Sequence, residues 1–480
     1  MTVTVAVLVG YLAILAALAI WSRDETHSLK GFYLAGKKLP YWVVAFSTNA
    51  TGESGWLLLG LTGMGYAYGA HAYWVIVGEM IGIGLSWGLI SRRLKRFGDE
   101  TDSITVPDVL SAKFADRLHV IRAIAVVIIV VMVTTYVSAQ MVATGKAFSG
   151  FVNVDYRLGV IVGAIIIISY TFVGGYKAVS YTDVVQGVLM LAGLIVVPIV
   201  AVQAAGGWGG VVSSLDRLDP EFMNMFAKLD GSAAGLIAVV SLAAIGLPFL
   251  GVPQLLIRYM SARDDDELRK ARLVSIVVLF IFLMGAVTAG IAGRALFPEL
   301  ADREQVFPTL ASELFPPLLT GVLFIIVLSA IMSTVDSLLL LASSAIVRDT
   351  MQKIVGSEKS DKTLAAYGKA VTIVIGIIAV LVALFMAENK LIFWFVLFSW
   401  SGLGAAFGPV VLALLLDKRT TGAGVAAGML GGFLTSVIWV QFFKDAAYGL
   451  YEAIPGFIVG ALATVIVSRL TGKKGSEPFS

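Results

Sequence analysis

The chain has 480 residues, of which 58% are hydrophobic and only 14% charged, with a mean hydropathy of +0.90. Soluble domains carry about 25% charged residues, so a water-soluble globular fold is excluded. The net charge of +3 is spread over short connections and gives no nucleic-acid signal, and the absence of cysteine rules out disulfides, thiol chemistry and a cysteine metal site.

Apolar stretches of roughly 18–25 residues recur along the whole length. They predict a single all-α polytopic membrane domain of thirteen spans: 4–22, 41–69, 71–91, 123–145, 158–176, 182–204, 234–257, 273–293, 316–347, 370–387, 391–416, 421–443 and 453–468. The first stretch has no basic segment before it, and Arg23, Lys30, Lys37 and Lys38 follow it. It therefore reads as an uncleaved anchor rather than a signal peptide. With the N-terminus outside, 27 of the 35 Lys and Arg residues lie in cytoplasmic connections or the tail and 8 lie outside. That bias predicts a cell-membrane protein with a cytoplasmic C-terminus.

The second span carries Ser47-Thr48-Asn49-Ala50-Thr51-Gly52-Glu53-Ser54-Gly55-Trp56, a polar island in an apolar run. No water satisfies freed backbone groups at bilayer depth, so a helix is interrupted there only where it packs in protein or lines a site. A carboxylate near a helix centre costs about 2.5–3.5 kcal/mol on insertion scales, so Glu53 needs a reason to be present. Glu79 in the third span is a second intramembrane carboxylate with no obvious partner. Segments 105–122 and 261–272 read as interfacial connectors, amphipathic or charged. Asp183 follows the run Tyr170-Thr171-Phe172-Val173-Gly174-Gly175-Tyr176-Lys177-Ala178-Val179-Ser180-Tyr181-Thr182. It is either an acid at a helix N-terminus or part of an inward ion pathway. Segments 206–233 and 294–317 are polar and expected to face outward. His27, His71 and His119 are far apart and receive no metal role.

The seventh span contains Gly246, Pro248, Gly251 and Pro253 within eight residues, which breaks or kinks a helix. It lies five spans after the interrupted second span and so enters the membrane in the opposite direction. Paired broken helices in corresponding positions point to an inverted-repeat transporter with its site at mid-membrane. The repeats would be 41–204 and 234–416, with an extra helix at 4–22, two more at 421–468 and a tail at 469–480. In the ninth span Ala330, Ser333, Thr334 and Ser337 share one helical face. Hydroxyls and carbonyls are ligands suited to a small hard cation, and a broken helix facing this stripe adds freed carbonyls, giving five neutral oxygens. The competing reading is that the hydroxyls bond back to their own helix.

These residues together resemble the sodium/solute symporter family over nearly the full length, and within it the sodium/proline symporters. The motifs that carry the resemblance are Ser54-Gly55-Trp56-Leu57-Leu58-Leu59-Gly60-Leu61, the run ending at Asp183, Gln254 with Arg258, Met332-Ser333-Thr334 with Ser337, and Gly404-Ala405-Ala406-Phe407-Gly408-Pro409-Val410-Val411-Leu412. The resemblance implies a leucine-transporter-like 5+5 fold of thirteen helices and Na⁺-coupled symport of a small solute, L-proline first. It implies a sodium site from the carbonyls of Ala50, Glu53 and Ala330 with the hydroxyls of Ser333 and Thr334. It implies a substrate site of Ser54, Gly55, Trp56, Tyr136, Ile245, Phe249 and Pro253. Asp183, Asp336 and Ser337 would hold a second cation or serve ion exit. The chain departs from the proline carriers at Gly52, where they have Asp, at Glu53, where they have a non-acidic residue, and at Ile245 and Phe249, where they tend to have Trp and Tyr.

Other amino acids, monocarboxylates and sugars stay open as cargo. A transporter-like substrate sensor is a further class, against which the short tail after Arg469 argues. An enzyme is disfavoured because no nucleophile–base pair or metal-ligand cluster appears, and a channel because paired broken helices suit occlusion. The lipid bilayer, Na⁺ and the solute are the expected partners. No obligate protein partner and no nucleic acid are expected.

Overall fold

The computed structural model describes residues 2–22, 28–114, 116–171, 175–385 and 392–472. His27, residues 172–174 of the run before Asp183, the 386–391 junction and the tail from 473 lie outside the described residues. Among the described residues the chain is helical, with an isolated parallel bridge between Leu39 and Ala262 and no named strand.

Among the described residues, helix is found in each of the thirteen predicted stretches. Among the described residues 11 helices are long and apolar enough to cross a membrane; one of them, Tyr41–Glu100, runs for 60 residues through the second and third spans, so the 11 cover twelve of the predicted stretches. The fifth span, Tyr156–Thr171, is short at 16 residues. Local sequence explains several starts. Pro253 and Pro317 stand in the first turn of their helices, where a missing N–H costs nothing. Asp264 caps the eighth span by accepting from the N–H groups of Asp266 and Glu267, both at 2.9 Å.

Some boundaries move. The sixth span, Gly175–Ala204, starts earlier than expected, which puts Asp183 more than two turns inside the helix. The helix N-terminal reading of Asp183 is thereby overturned, since dipole stabilisation fades within the first turn. Segment 261–272 is largely the start of the eighth span, Asp265–Leu296, rather than a separate connector. Segment 206–233 contains the helix Gly207–Leu218, and 294–317 contains Val306–Leu314 with Val306, Phe307 and Leu310 buried.

Segment 105–122 is anchored by charge rather than laid on an interface. Arg122 is buried and pairs with Asp108 at 2.7 Å and with Asp349, while Arg348 reaches Asp108 at 3.0 Å. Burial alone would raise the Asp108 carboxyl, but Arg348 and Arg122 beside it hold it below the ordinary carboxylate range.

The third span meets the broken seventh span backbone to backbone. A Cβ on Gly78 would lie 1.9 Å from Ala243 O, and one on Gly82 would lie 2.0 Å from Gly246 O. Small residues four apart let the helices approach this closely. This contact puts Glu79 beside the two interrupted helices.

Candidate functional site

The second span breaks at Ser54, which has φ 49° and ψ −171° inside Tyr41–Gly55. Such a conformation costs a non-glycine residue about 1–3 kcal/mol. It is supported locally, because Ser54 Oγ accepts the Trp56 N–H at 3.1 Å. The chain then resumes through a π-helical turn, Trp56–Leu61, into Thr62–Tyr68. Gly55 lets the break sit against two other spans: a Cβ there would lie 2.7 Å from Ile331 Cγ1 and 3.2 Å from Ala143 Cβ.

On one side of the break, neutral oxygens converge. Ser333 Oγ donates to Ala50 O at 2.9 Å, and Thr334 Oγ1 donates to Thr51 O at 3.0 Å. Both hydroxyls also lie near Ala330 O, at 3.1 and 3.4 Å. Ala50, Ala330, Ser333 and Thr334 are therefore brought together, all buried. Glu53 differs, since its carbonyl accepts the Trp56 N–H, while the carbonyl of Thr51 joins the cluster. Hydroxyls rotate freely, so oxygens that now bond to one another can turn lone pairs toward a cation. Back-bonding to the helix and facing the broken span are both present here.

On the other side lies a narrow cavity lined by Glu53, Trp56, Glu79, Tyr136, Ile245 and Phe249, with Trp400 beside them. Four of the expected substrate residues, Trp56, Tyr136, Ile245 and Phe249, thus share one wall. Ser54 and Gly55 stand behind it: Ser54 Oγ lies 3.4 Å from both Tyr136 OH and Gln140 Nε2, and the Gly55 N–H donates to Gln140 Oε1 at 3.0 Å. Pro253 starts the second half of the seventh span, Pro253–Ser261, and does not line the cavity. Trp400 shapes the remaining wall. Its Nε1 donates to the carbonyl of Ile245 at 3.1 Å, within the break of the seventh span, and its ring meets Phe249 edge-on at 5.1 Å. Ile245 and Leu397 also border a wider cavity of about 290 Å³ on the side of residues 69–72 and 444–449, walled by Phe393 and Trp394.

Glu79 and Glu53 line the same narrow cavity, carboxyl group beside carboxyl group. Both side chains are buried, and neither forms an ion pair among the described residues.

The opposite end of the second span is closed by Arg258. Its Nη2 lies 2.6 Å from Thr51 Oγ1, 2.5 Å from Ser337 Oγ and 3.1 Å from Asp183 Oδ2, and its Nε donates to Ser47 Oγ at 3.0 Å. Ser47 Oγ also donates to Asp183 at 2.6 Å. Of the residues expected to hold a second cation or assist ion exit, Asp183 and Ser337 surround the guanidinium. Asp336 neighbours Ser337, whose Oγ lies 3.4 Å from Asp336 Oδ1.

Sequence reading gave no site role to Arg258, which it named only as a family motif with Gln254, and passed over Gln140 and Trp400. Arg258 had been counted with a cytoplasmic connection, yet it is 1% exposed. The available signals were its position one turn after Gln254 and the presence of an intramembrane Asp183 without a partner. Gln140 carried a weaker signal, as a lone amide in the apolar fourth span.

The model of the sodium:solute symporter family matches residues 32–432. The chain belongs to the sodium:solute symporter family. A sodium/proline symporter of Staphylococcus aureus is 36% identical over 479 residues, covering 97% of this chain and 92% of that protein. A Na⁺-coupled sialic acid symporter, solved substrate-bound and outward-open, superposes with a TM-score of 0.82 at 17% identity, covering 99% of each chain. A nucleobase-cation-symport-1 family transporter in a closed conformation superposes with a TM-score of 0.57 at 12% identity, covering 94% of this chain and 97% of that one. The fold is therefore the leucine-transporter-like one. This symporter is a multi-pass membrane transporter of a solute with Na⁺ as coupling ion, and not an enzyme.

Proposed function

We propose that this symporter carries a small zwitterionic amino acid, L-proline first, together with Na⁺ by alternating access. Na⁺ is held between the broken second span and the ninth span, by the carbonyls of Ala50, Glu53 and Ala330 and the hydroxyls of Ser333 and Thr334. The observation that carries this reading is the approach of Ser333 Oγ to Ala50 O, at 2.9 Å, beside Thr334 Oγ1 and Ala330 O. The ion then fixes the broken backbone in the shape that receives substrate among Trp56, Tyr136, Ile245 and Phe249, in front of Ser54 and Gly55 and bounded by the half-helix that Pro253 starts. The resemblance to proline carriers at 36% identity supports the cargo. Asp183, Asp336 and Ser337 serve ion exit beside Arg258.

The repeats span 41–204 and 234–416, and the N-terminus faces outward, as the bias of basic residues toward the other side supports. One charge moved through 100 mV is worth about 2.3 kcal/mol. At about 1.4 kcal/mol per decade this alone sustains roughly fifty-fold accumulation.

The test is radiolabelled uptake into proteoliposomes with an imposed Na⁺ gradient and a panel of competing solutes. Proline is expected to compete, and the paired change Ser333→Ala and Thr334→Ala is expected to raise half-saturating Na⁺ at least tenfold with little loss of folded protein. Uptake indifferent to Na⁺, or unchanged Na⁺ dependence in the double variant, would overturn the ion site. A second cargo, another amino acid, a monocarboxylate or a sugar, is favoured only by Ile245 and Phe249 in the wall where proline carriers tend to have Trp and Tyr.

A further inference from the structure

Three polar atoms in the narrow cavity have no hydrogen-bond partner: Glu53 Oε2, Glu79 Oε2 and Trp56 Nε1. Their side chains are almost wholly buried, at 1%, 2% and 4% exposure. Buried polar groups are normally paired, and an orphan invites an explanation by a missing ligand or ion. Finding three in one cavity, with opposite polarity, narrows that explanation.

The two carboxyl groups line one cavity, and no basic side chain among the described residues of its wall answers them. Titratable groups face them from two neighbouring elements. Tyr136 stands on the fourth span, with its OH toward Ser54 Oγ, and Tyr451 lies in the connection before the thirteenth span. Glu452 lies beyond Tyr451 and is already paired with Lys444 at 2.7 Å. The seventh and eleventh spans present Ile245, Phe249, Val396, Leu397 and Trp400, none of them charged. A positive charge placed between two carboxyl groups in a low-dielectric site is favourable to both. The protein supplies none here. The indole Nε1–H supplies the reverse demand, since it is a donor only and needs an acceptor.

We propose that Glu53 and Glu79 form the subsite for the protonated amine of the substrate, and that Trp56 Nε1–H meets the substrate carboxylate. A ligand with an ammonium and a carboxylate on one carbon answers all three atoms at once, whereas Na⁺ answers only the carboxyl pair. The geometry also revises which donors are free. The backbone N–H groups of Gly55 and Trp56 already donate to Gln140 Oε1 and Ser54 Oγ, which leaves the indole as the unpaired donor. The proposal rests on the amino-acid cargo reading, and it explains why the acid stands at Glu53 beside a partner acid on the third span.

The experiment has two arms, both with the purified full-length symporter in proteoliposomes. The first uses the unmodified protein and compares competition by L-proline, a panel of other amino acids and the amine-free cyclopentanecarboxylate. The amino acids are expected to compete, and cyclopentanecarboxylate to be weaker by at least about thirtyfold, as for loss of one partner of a buried charge pair. Equal or better competition by the amine-free acid overturns the subsite while leaving Na⁺-coupled symport standing. The second arm measures the variant Glu53→Gln with Glu79→Gln, whose amides preserve shape without charge. Its thermal shift with NaCl is expected to persist while its KM for amino acid rises by at least about thirtyfold. An unchanged KM overturns the proposal. A lost NaCl shift with unchanged amino-acid affinity overturns it as well, assigning the carboxyl pair to the ion.

Discussion

The two ends of the broken second span are built on opposite plans. Toward Ser47 and Thr51, every arm of the Arg258 guanidinium meets a protein oxygen, and Asp183 lies within 3.1 Å of it. Toward Glu53 and Trp56, polar atoms of comparable burial point at nothing. The guanidinium network is charge-compensated, which favours one arrangement, although Asp183 Oδ1 and the Gln254 amide are left without a partner. An unsaturated cavity stores a demand that only a ligand meets. The second span therefore carries a compensated cluster at Ser47 and Thr51 and, within a turn of it, an uncompensated cavity whose residues Glu53 and Trp56 stand on either side of the break at Ser54.

The sharpest way to break this contrast is Arg258→Gln. It leaves Asp183 buried without its counter-charge, at a cost of about 3–5 kcal/mol. The apparent melting temperature in detergent is expected to fall steeply, and adding Asp183→Asn is expected to recover a substantial part of the loss. A melting temperature unmoved by Arg258→Gln would show that the compensated cluster adds nothing to stability.

A smaller effect is expected from Thr51→Val, which removes one oxygen from the guanidinium and keeps the shape. A hydrogen bond to a charged group contributes about 1.5–3 kcal/mol, so this variant should lose stability at the lower end of that range while still folding. The measurement is the same melting curve, and a loss as large as that of Arg258→Gln would mean that the network fails as a unit.

Trp56→Phe tests the other end. Removing an unpaired buried donor relieves a cost and trimming the indole adds one, so stability should stay within about 1 kcal/mol of the parent. Uptake should suffer instead, with the KM for the amino acid rising about tenfold, the equivalent of about 1.4 kcal/mol. Uptake kinetics equal to the parent's would show that the indole N–H does not meet substrate.

Much of the site was legible residue by residue, and the limits have physical causes. The interruption at Ser47–Trp56 stands out because hydrocarbon tolerates no loose backbone, so a polar, glycine-containing island at that depth already means a site. Ser333 and Thr334 follow helical spacing and face the break as expected. Glu79 was visible as a buried acid but not as the neighbour of Glu53 in one cavity. That placement depends on Gly78 and Gly82 bringing the third span onto the seventh, and no spacing along one helix encodes it. Arg258 was misplaced because a basic residue near a predicted span end is indistinguishable in sequence from a loop charge. Only the fold of the second half of the seventh span turns it inward.

By itself the sequence determined the class of the protein, its run of apolar helical stretches, its two broken helices and the hydroxyl stripe along the ninth span. All of these follow from local rules: the length of apolar runs, the cost of an unpaired backbone and the periodicity of a helix. The tertiary structure alone decided which buried charges meet. Asp183 is answered by Arg258 from a helix 75 positions further along the chain, while Glu53 and Glu79 line one cavity unanswered. Charge compensation in a low-dielectric interior is a property of distances across helices, and packing sets those distances.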